Sequence, residues 1–250
     1  MASLLAVEGM SKRFGGLLAV NNAVMSAEQG RITALIGPNG AGKTTLFAMI
    51  AGFLKPTSGR VLLRGEDVTG REPHVLARAG VVRTFQIVQP FAGLTVRENI
   101  AVGAHLHARR RAEALAAAEA VASEVGLTPM LDQPAGSLTV AGRKRLELAR
   151  ALATRPTLLL LDEVLAGLTP SEIRDFVPVI RAIRDRGVTI LMIEHVMQAV
   201  MNLSEHVYVL AEGLIIAQGA PAAIAADPKV IEAYLGHDAA NRLRGGAHVH

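Results

Sequence analysis

The chain has no cysteine and no tryptophan among its 250 residues. Without thiols, disulfides and thiolate metal sites are excluded, and a reducing cytosol suits the composition. Aromatic residues reach only 3%, which is poor material for the stacking platforms that hold single-stranded nucleic acid. No uninterrupted apolar run approaches the ~18 residues that a membrane-spanning helix needs. The opening residues, MASLLAVEGMSKRF, place no charged segment ahead of an apolar one, so no secretion signal is expected. Strong charge is missing as well. The net charge is +4 and the pI about 9.8, but the basic residues are scattered. That pattern reads as a solvated surface, and no nucleic-acid partner is expected. Repeats at solenoid periods are absent. What is present is 50% hydrophobic residues, in a length suited to one domain with room for a subdomain.

One stretch organises the rest: ITALIGPNGAGKTT, residues 32–45. Residues 32–36 form a short apolar run bounded by Gly and Pro, which predicts a buried strand. Then come Gly37, Pro38, Asn39, Gly40, Ala41, Gly42, Lys43, Thr44 and Thr45, with a helix expected from Leu46. This is the phosphate-binding loop pattern. Glycines let backbone N–H groups converge on a polyphosphate in conformations that other residues resist. The following helix aims its positive end at the same point. Lys43 neutralises the outer phosphates, and the Thr44 hydroxyl suits Mg2+.

Around this loop the chain divides. Residues 4–10 and 19–26 alternate weakly and predict antiparallel strands, with SKRFGG as the turn between them. Phe14, in that turn, could stack on a base or serve as an edge residue. A short helix is expected at 73–79 and a strand at 80–85, ended by Gln86. Residues 95–154 show helices and loops without a convincing strand, which predicts a helical unit inserted into the sheet domain. Its Ala-rich helix, 109–125, is expected to bury Leu115, Ala118, Val121, Ala122 and Val125. A Leu138-Thr139 pair leads into the helix 141–154. The next helix, 171–186, is expected to be capped by Ser171 and to carry Pro178 in its body. A hairpin around Glu212-Gly213 and two Pro-opened helices follow, and 237–250 reads as a flexible tail.

A phosphate loop needs a metal-holding carboxylate on a neighbouring strand. Four leucines, 158–161, then Asp162 and Glu163, supply one. Asp162 is placed to hold Mg2+, and Glu163 to orient and polarise an attacking water. Read in isolation, such a pair could be a solvated turn. His195 stands 33 residues beyond Asp162, after the next apolar strand. In an open parallel sheet the C-terminal strand ends form the ligand crevice, which makes His195 a candidate contact to a terminal phosphate.

The phosphate loop, VVRTFQ, the Leu-Thr-led helix, LLLLDE and LMIEH together resemble the ATP-binding subunit of ABC transporters. The resemblance spans residues 1 to about 236. It implies an α/β phosphate-loop NTPase core with a mostly parallel sheet, an N-terminal antiparallel β element and an inserted helical subdomain. The implied boundaries are 1–88 and 156–236 for the core and 89–155 for the insert. It assigns Phe14 to adenine stacking, Gln86 to Mg2+ and to sensing the membrane partner, Glu163 to catalysis and His195 to the terminal phosphate. The implied cofactors are ATP and Mg2+. The implied partners are a second nucleotide-binding subunit, membrane permease subunits and, indirectly, a solute-binding protein. The implied location is the cytoplasmic face of the cell membrane. RTFQ, FAGLTVRENI and ADPKVIEAYLG resemble the branched-chain amino acid importer subgroup, in particular the subunit with the longer helical insert; urea and amide importers use similar subunits.

Three positions depart from the family pattern. Leu138, Thr139, Val140, Ala141 and Gly142 stand where Leu-Ser-Gly-Gly-Gln is usual. Val164 replaces a Pro, and Thr169 stands where many relatives carry Asp. The family's soluble members in DNA repair or ribosome work are the rival reading, but they usually carry coiled-coil inserts or two cassettes in one chain.

Overall fold

The computed structural model describes residues 3–85 and 89–235. Strands β1 (Ser3–Phe14) and β2 (Leu17–Glu28) form a long hairpin. Strand β3 (Ile32–Ile36) leads into helix α1 (Lys43–Ile50), followed by β4 (Ser58–Leu63), β5 (Glu66–Asp67), α2 (Pro73–Arg78) and β6 (Val81–Arg83). Helices α3 (Val96–Ala104), α4 (Arg111–Glu124) and α5 (Val140–Ala153) come next. The chain then alternates: β7 (Leu158–Asp162), α6 (Pro170–Asp185), β8 (Thr189–Ile193), α7 (Met197–Leu203). It closes with β9 (His206–Ala211), β10 (Leu214–Gly219), α8 (Pro221–Ala225) and α9 (Pro228–Leu235).

Two sheets result. The smaller is antiparallel, in the order β2-β1-β4-β5. The larger runs β10-β9-β3-β8-β7-β6 and is parallel except for the β9–β10 pair. The apolar runs explain its centre. Strands β3, β7 and β8 are buried along their whole length, as parallel strands covered on both faces must be. Their side chains alternate between two cores. Leu159, Leu161, Ile190 and Met192 pack with helices α3 to α7. Leu158, Leu160, Leu191 and Ile193 pack with α1 and the antiparallel sheet.

Several boundaries differ from expectation, each for a local reason. Strand β1 continues through SKRF, so the turn shrinks to Gly15 and Gly16. Helix α1 starts at Lys43, directly after a left-handed Gly42 at φ 103°. Helix α6 is capped by Thr169 rather than Ser171. The Thr169 hydroxyl accepts from the Glu172 amide, and the Glu172 carboxylate accepts from the Thr169 amide, a reciprocal box. That box gives Thr169 a structural role as the cap of α6. Helix α4 buries Ala114, Ala118 and Ala122, four residues apart, while Leu115 and Val121 are only half-buried. Small side chains let α4 approach its neighbours closely, and this overrides the larger residues beside them.

The hairpin at Glu212-Gly213 forms as expected. Both residues have positive φ, 48° and 80°, the twist a two-residue turn requires. Among the described residues of 95–154 there is no strand, only an isolated bridge between Thr95 and Pro134. The expected tail, 237–250, lies outside the described residues.

Candidate functional site

Strand β3 delivers the chain to Gly37 at φ 149°, where an added Cβ would lie 1.9 Å from the Leu210 carbonyl oxygen. Gly42 is equally confined, since its Cβ would meet the Ala19 carbonyl oxygen at 2.3 Å. These approaches explain why glycine occupies both positions. Between them the chain bends into open space, and Lys43 is pulled inward. Its ammonium donates to the carbonyls of Gly37 at 2.7 Å and Pro38 at 2.9 Å. Burial lowers the Lys43 pKa, against the opposing pull of Glu163 and Asp162.

The loop floors a cleft of about 320 Å³. Asn39, Gly40, Ala41, Gly42, Lys43, Thr44 and Thr45 line its base. Phe14, Leu17 and Ala19 from the β1–β2 hairpin form one wall, and Glu163 and His195 the other. The Phe14 ring is 46% exposed and carries the Lys12 ammonium 5.2 Å from its centroid.

Parallel pairing of β7 with β8 sets the second wall. Asp162 stands opposite Ile193, so Glu163 and His195 leave adjacent strand ends together. His195 Nε2 lies 2.5 Å from Glu163 Oε1. Asp162 turns the other way. Its carboxylate is almost fully buried and accepts from Arg83 Nη2 at 2.6 Å. Arg83 itself lies near the rings of Phe53 and Phe85, at 5.9 and 5.8 Å.

The structure thus gathers Phe14, the loop, Glu163 and His195 around one cleft. Asp162 does not line it. Leu138 and Thr139 do not line it either: Leu138 is buried, and exposed Thr139 caps α5 by accepting from the Gly142 amide at 3.2 Å. Gln86 lies outside the described residues.

Four neighbours escaped the sequence reading. Arg83 partners Asp162. Lys144 reaches the Glu163 carbonyl at 3.0 Å. Glu194 holds the Leu165 amide at 2.9 Å. Tyr234 shares a hydrogen bond with the Gly37 backbone, which pulls down a phenol pKa raised by burial. A charged residue directly after the apolar strand was the available signal for Glu194. Nothing in the spacing marks the other three.

The donor set suits a hard divalent cation. Thr44 offers an exposed hydroxyl and Asp162 a carboxylate, both oxygen ligands of the kind Mg2+ takes. Arg83 currently supplies the positive charge that Asp162 requires in its buried position.

Residues 20–166 match the family model described as ABC transporter, and residues 215–240 match that described as branched-chain amino acid ATP-binding cassette transporter. The chain is 43% identical to the high-affinity branched-chain amino acid transport ATP-binding protein BraF of Pseudomonas aeruginosa, over 93% of this chain and 98% of that one. It is 42% identical to LivG of Escherichia coli, described in the same words, with the same coverage. Among solved structures, the ADP conformation of an ATP-binding cassette of an ABC transporter superposes with TM-score 0.87 at 34% identity, covering 95% of this chain and all of that one.

Proposed function

This chain belongs to the ABC transporter ATP-binding family, and from that premise we propose that it binds and hydrolyses ATP to drive import of branched-chain amino acids through membrane permease subunits. One observation carries the reading: a phosphate loop faces a Glu163–His195 pair across a single cleft. The similarity to BraF and LivG supports the cargo.

In this reading the adenine stacks on Phe14 and the phosphates lie in the loop. Lys43 exchanges its carbonyl partners for phosphate oxygens. Thr44, Asp162 and Gln86 would hold Mg2+, which when bound screens the phosphate charge. Glu163 orients a water in line with the terminal phosphorus and takes its proton as the new O–P bond forms. The bond from that phosphorus to the bridging oxygen breaks, releasing ADP. His195 keeps Glu163 aimed and contacts the terminal phosphate. Fixed geometry and preset charge supply most of the acceleration.

Two nucleotide-binding subunits clasp two ATP molecules, each capped by the other subunit's Leu138–Thr139 helix end or its counterpart. ATP favours the closed pair and hydrolysis reopens it. Residues 1–236 act as one nucleotide-binding domain, with 89–155 as its helical subdomain. No helix among the described residues is long and apolar enough to cross a membrane. As the ATP-binding subunit of a transporter, the chain is placed in this reading peripherally on the cytoplasmic face, on its permease.

The test is phosphate release by the chain assembled with its neighbouring permease subunits and solute-binding protein. Glu163→Gln should abolish turnover while ATP binding persists. Leucine-loaded binding protein should stimulate the wild type. Stimulation by urea and not by leucine would move the cargo assignment, and hydrolysis surviving Glu163→Gln would remove Glu163 from its role.

A further inference from the structure

Glu163 adopts a left-handed backbone, φ 51°, which a residue with a side chain holds only when its surroundings impose it. Those surroundings can be named. Its amide donates to the Ile193 carbonyl at 2.9 Å, a continuation of the β7–β8 pairing. Its carbonyl accepts from Lys144 Nζ at 3.0 Å. Two residues on, the Leu165 amide donates to Glu194 Oε1 at 2.9 Å. Both side chains are buried, Lys144 at 7% exposure and Glu194 at 1%. Neither lines the cleft. Two ionisable groups removed from water are costly unless they are used. Among the described residues, Glu194 Oε2 finds no hydrogen-bond partner. An apolar residue would fill that space at lower cost, so the position is not explained by packing.

We propose that Lys144 and Glu194 are positioning residues that lock the backbone on either side of Glu163 and thereby aim its carboxylate at the attacking water. This rests on the reading of Glu163 as the group that activates water. The device also ties the catalytic strand end to α5. Lys144 lies five residues into the helix capped by Thr139, about 7.5 Å along its axis. A shift of α5 therefore carries the Lys144 ammonium, and with it the Glu163 carbonyl. The charged groups facing Glu194 are Lys144 from α5 and Glu163 at the end of β7. Burial raises the Glu194 carboxyl towards neutrality, and the Leu165 and His195 amides oppose this, consistent with a group that serves chiefly as a hydrogen-bond acceptor.

The experiment compares Glu194→Leu, Glu194→Gln, Lys144→Met and Glu163→Gln in the full chain. It measures kcat, the KM for ATP and nucleotide affinity. Glu194→Leu and Lys144→Met should each lower kcat about 10- to 100-fold, the scale of a small misplacement of a reacting group. KM and nucleotide affinity should stay near wild type. Glu194→Gln keeps the acceptor and should recover most of the rate. Combining Glu194→Leu with Lys144→Met should cost less than the product of the single losses. With Glu163→Gln inactive, wild-type kcat in both Glu194→Leu and Lys144→Met overturns the proposal. So does an equal loss in Glu194→Leu and Glu194→Gln. Should Glu194→Leu fail to fold, Lys144→Met decides alone. Turnover surviving in Glu163→Gln would instead remove the reading on which the proposal stands.

Discussion

The Arg83 guanidinium and the Asp162 carboxylate meet at 2.6 Å, with side-chain exposures of 10% and 2%. A carboxylate that deep is tolerated because a cation is already beside it. The same carboxylate is the proposed metal ligand, and in the nucleotide-free protein Arg83 is the cation paired with it.

Arg83→Ala should therefore strand a buried charge. Removing one partner of such a pair costs about 3–5 kcal/mol. The nucleotide-free protein should melt markedly lower, and Mg2+ with ATP should restore more stability to the variant than it gives wild type. Thermal melts with and without Mg2+–ATP check this; equal ligand-induced gains would contradict it.

Gly37 and Gly40 separate two kinds of glycine requirement. At Gly37 a methyl group would strike the Leu210 carbonyl, whereas at Gly40, φ 78°, it would meet nothing within 4 Å. Gly40→Ala should cost only the backbone strain, about 1 kcal/mol. Gly37→Ala should displace the loop from β9 and abolish ATP binding. Denaturant melts and a fluorescent-nucleotide titration distinguish them, and indistinguishable variants would refute the steric account.

Lys43→Ala removes the only cation lining the cleft among the described residues. ATP affinity should fall at least about tenfold, the loss expected for one charge-assisted contact of 1.5–3 kcal/mol. Because Lys43 now hydrogen-bonds loop carbonyls, its removal should also loosen the empty loop, visible as faster amide exchange near Gly37 and Pro38.

Glu194 should give the stability a pH dependence whose sign follows from its burial. Its folded pKa is raised to about 7 by burial, above an ordinary unfolded value. The folded state thus keeps a proton that the unfolded chain releases. The contribution is complete in acid, declines as pH rises through the window up to about 7, and then levels off. Relative to Glu194→Gln, wild type should lose up to about 3 kcal/mol across that window. Parallel melts of the two proteins from pH 4.5 to 8 measure it; parallel curves would argue against a proton on Glu194.

Much of this was legible in residues 32–45 and 158–163, where a parallel strand, a loop and a helix must follow in fixed order. The apolar runs of β3, β7 and β8 admit no other burial pattern. What stayed hidden was sidedness. Arg83 and Lys144 look like surface charges in a chain rich in Arg, and only strand register and the α5 contact turn them inward. Helix α4 misled because its leucine and valine outrank alanine by hydrophobicity, while close helix approach favours the smaller side chain. Ser171 misled because it sits next to a proline that belongs inside the first turn, which moves the cap to Thr169.

The alternation of side chains along the central strands carries a consequence for how such a subunit diversifies. Leu158 and Leu160 answer to one neighbour, Leu159 and Leu161 to another, with the strand itself as partition. Substitutions on opposite sides share few partners, so their effects should largely sum. One side can thereby be repacked while the other, which holds Ala41 and Leu46 beside the phosphate loop, keeps its contacts.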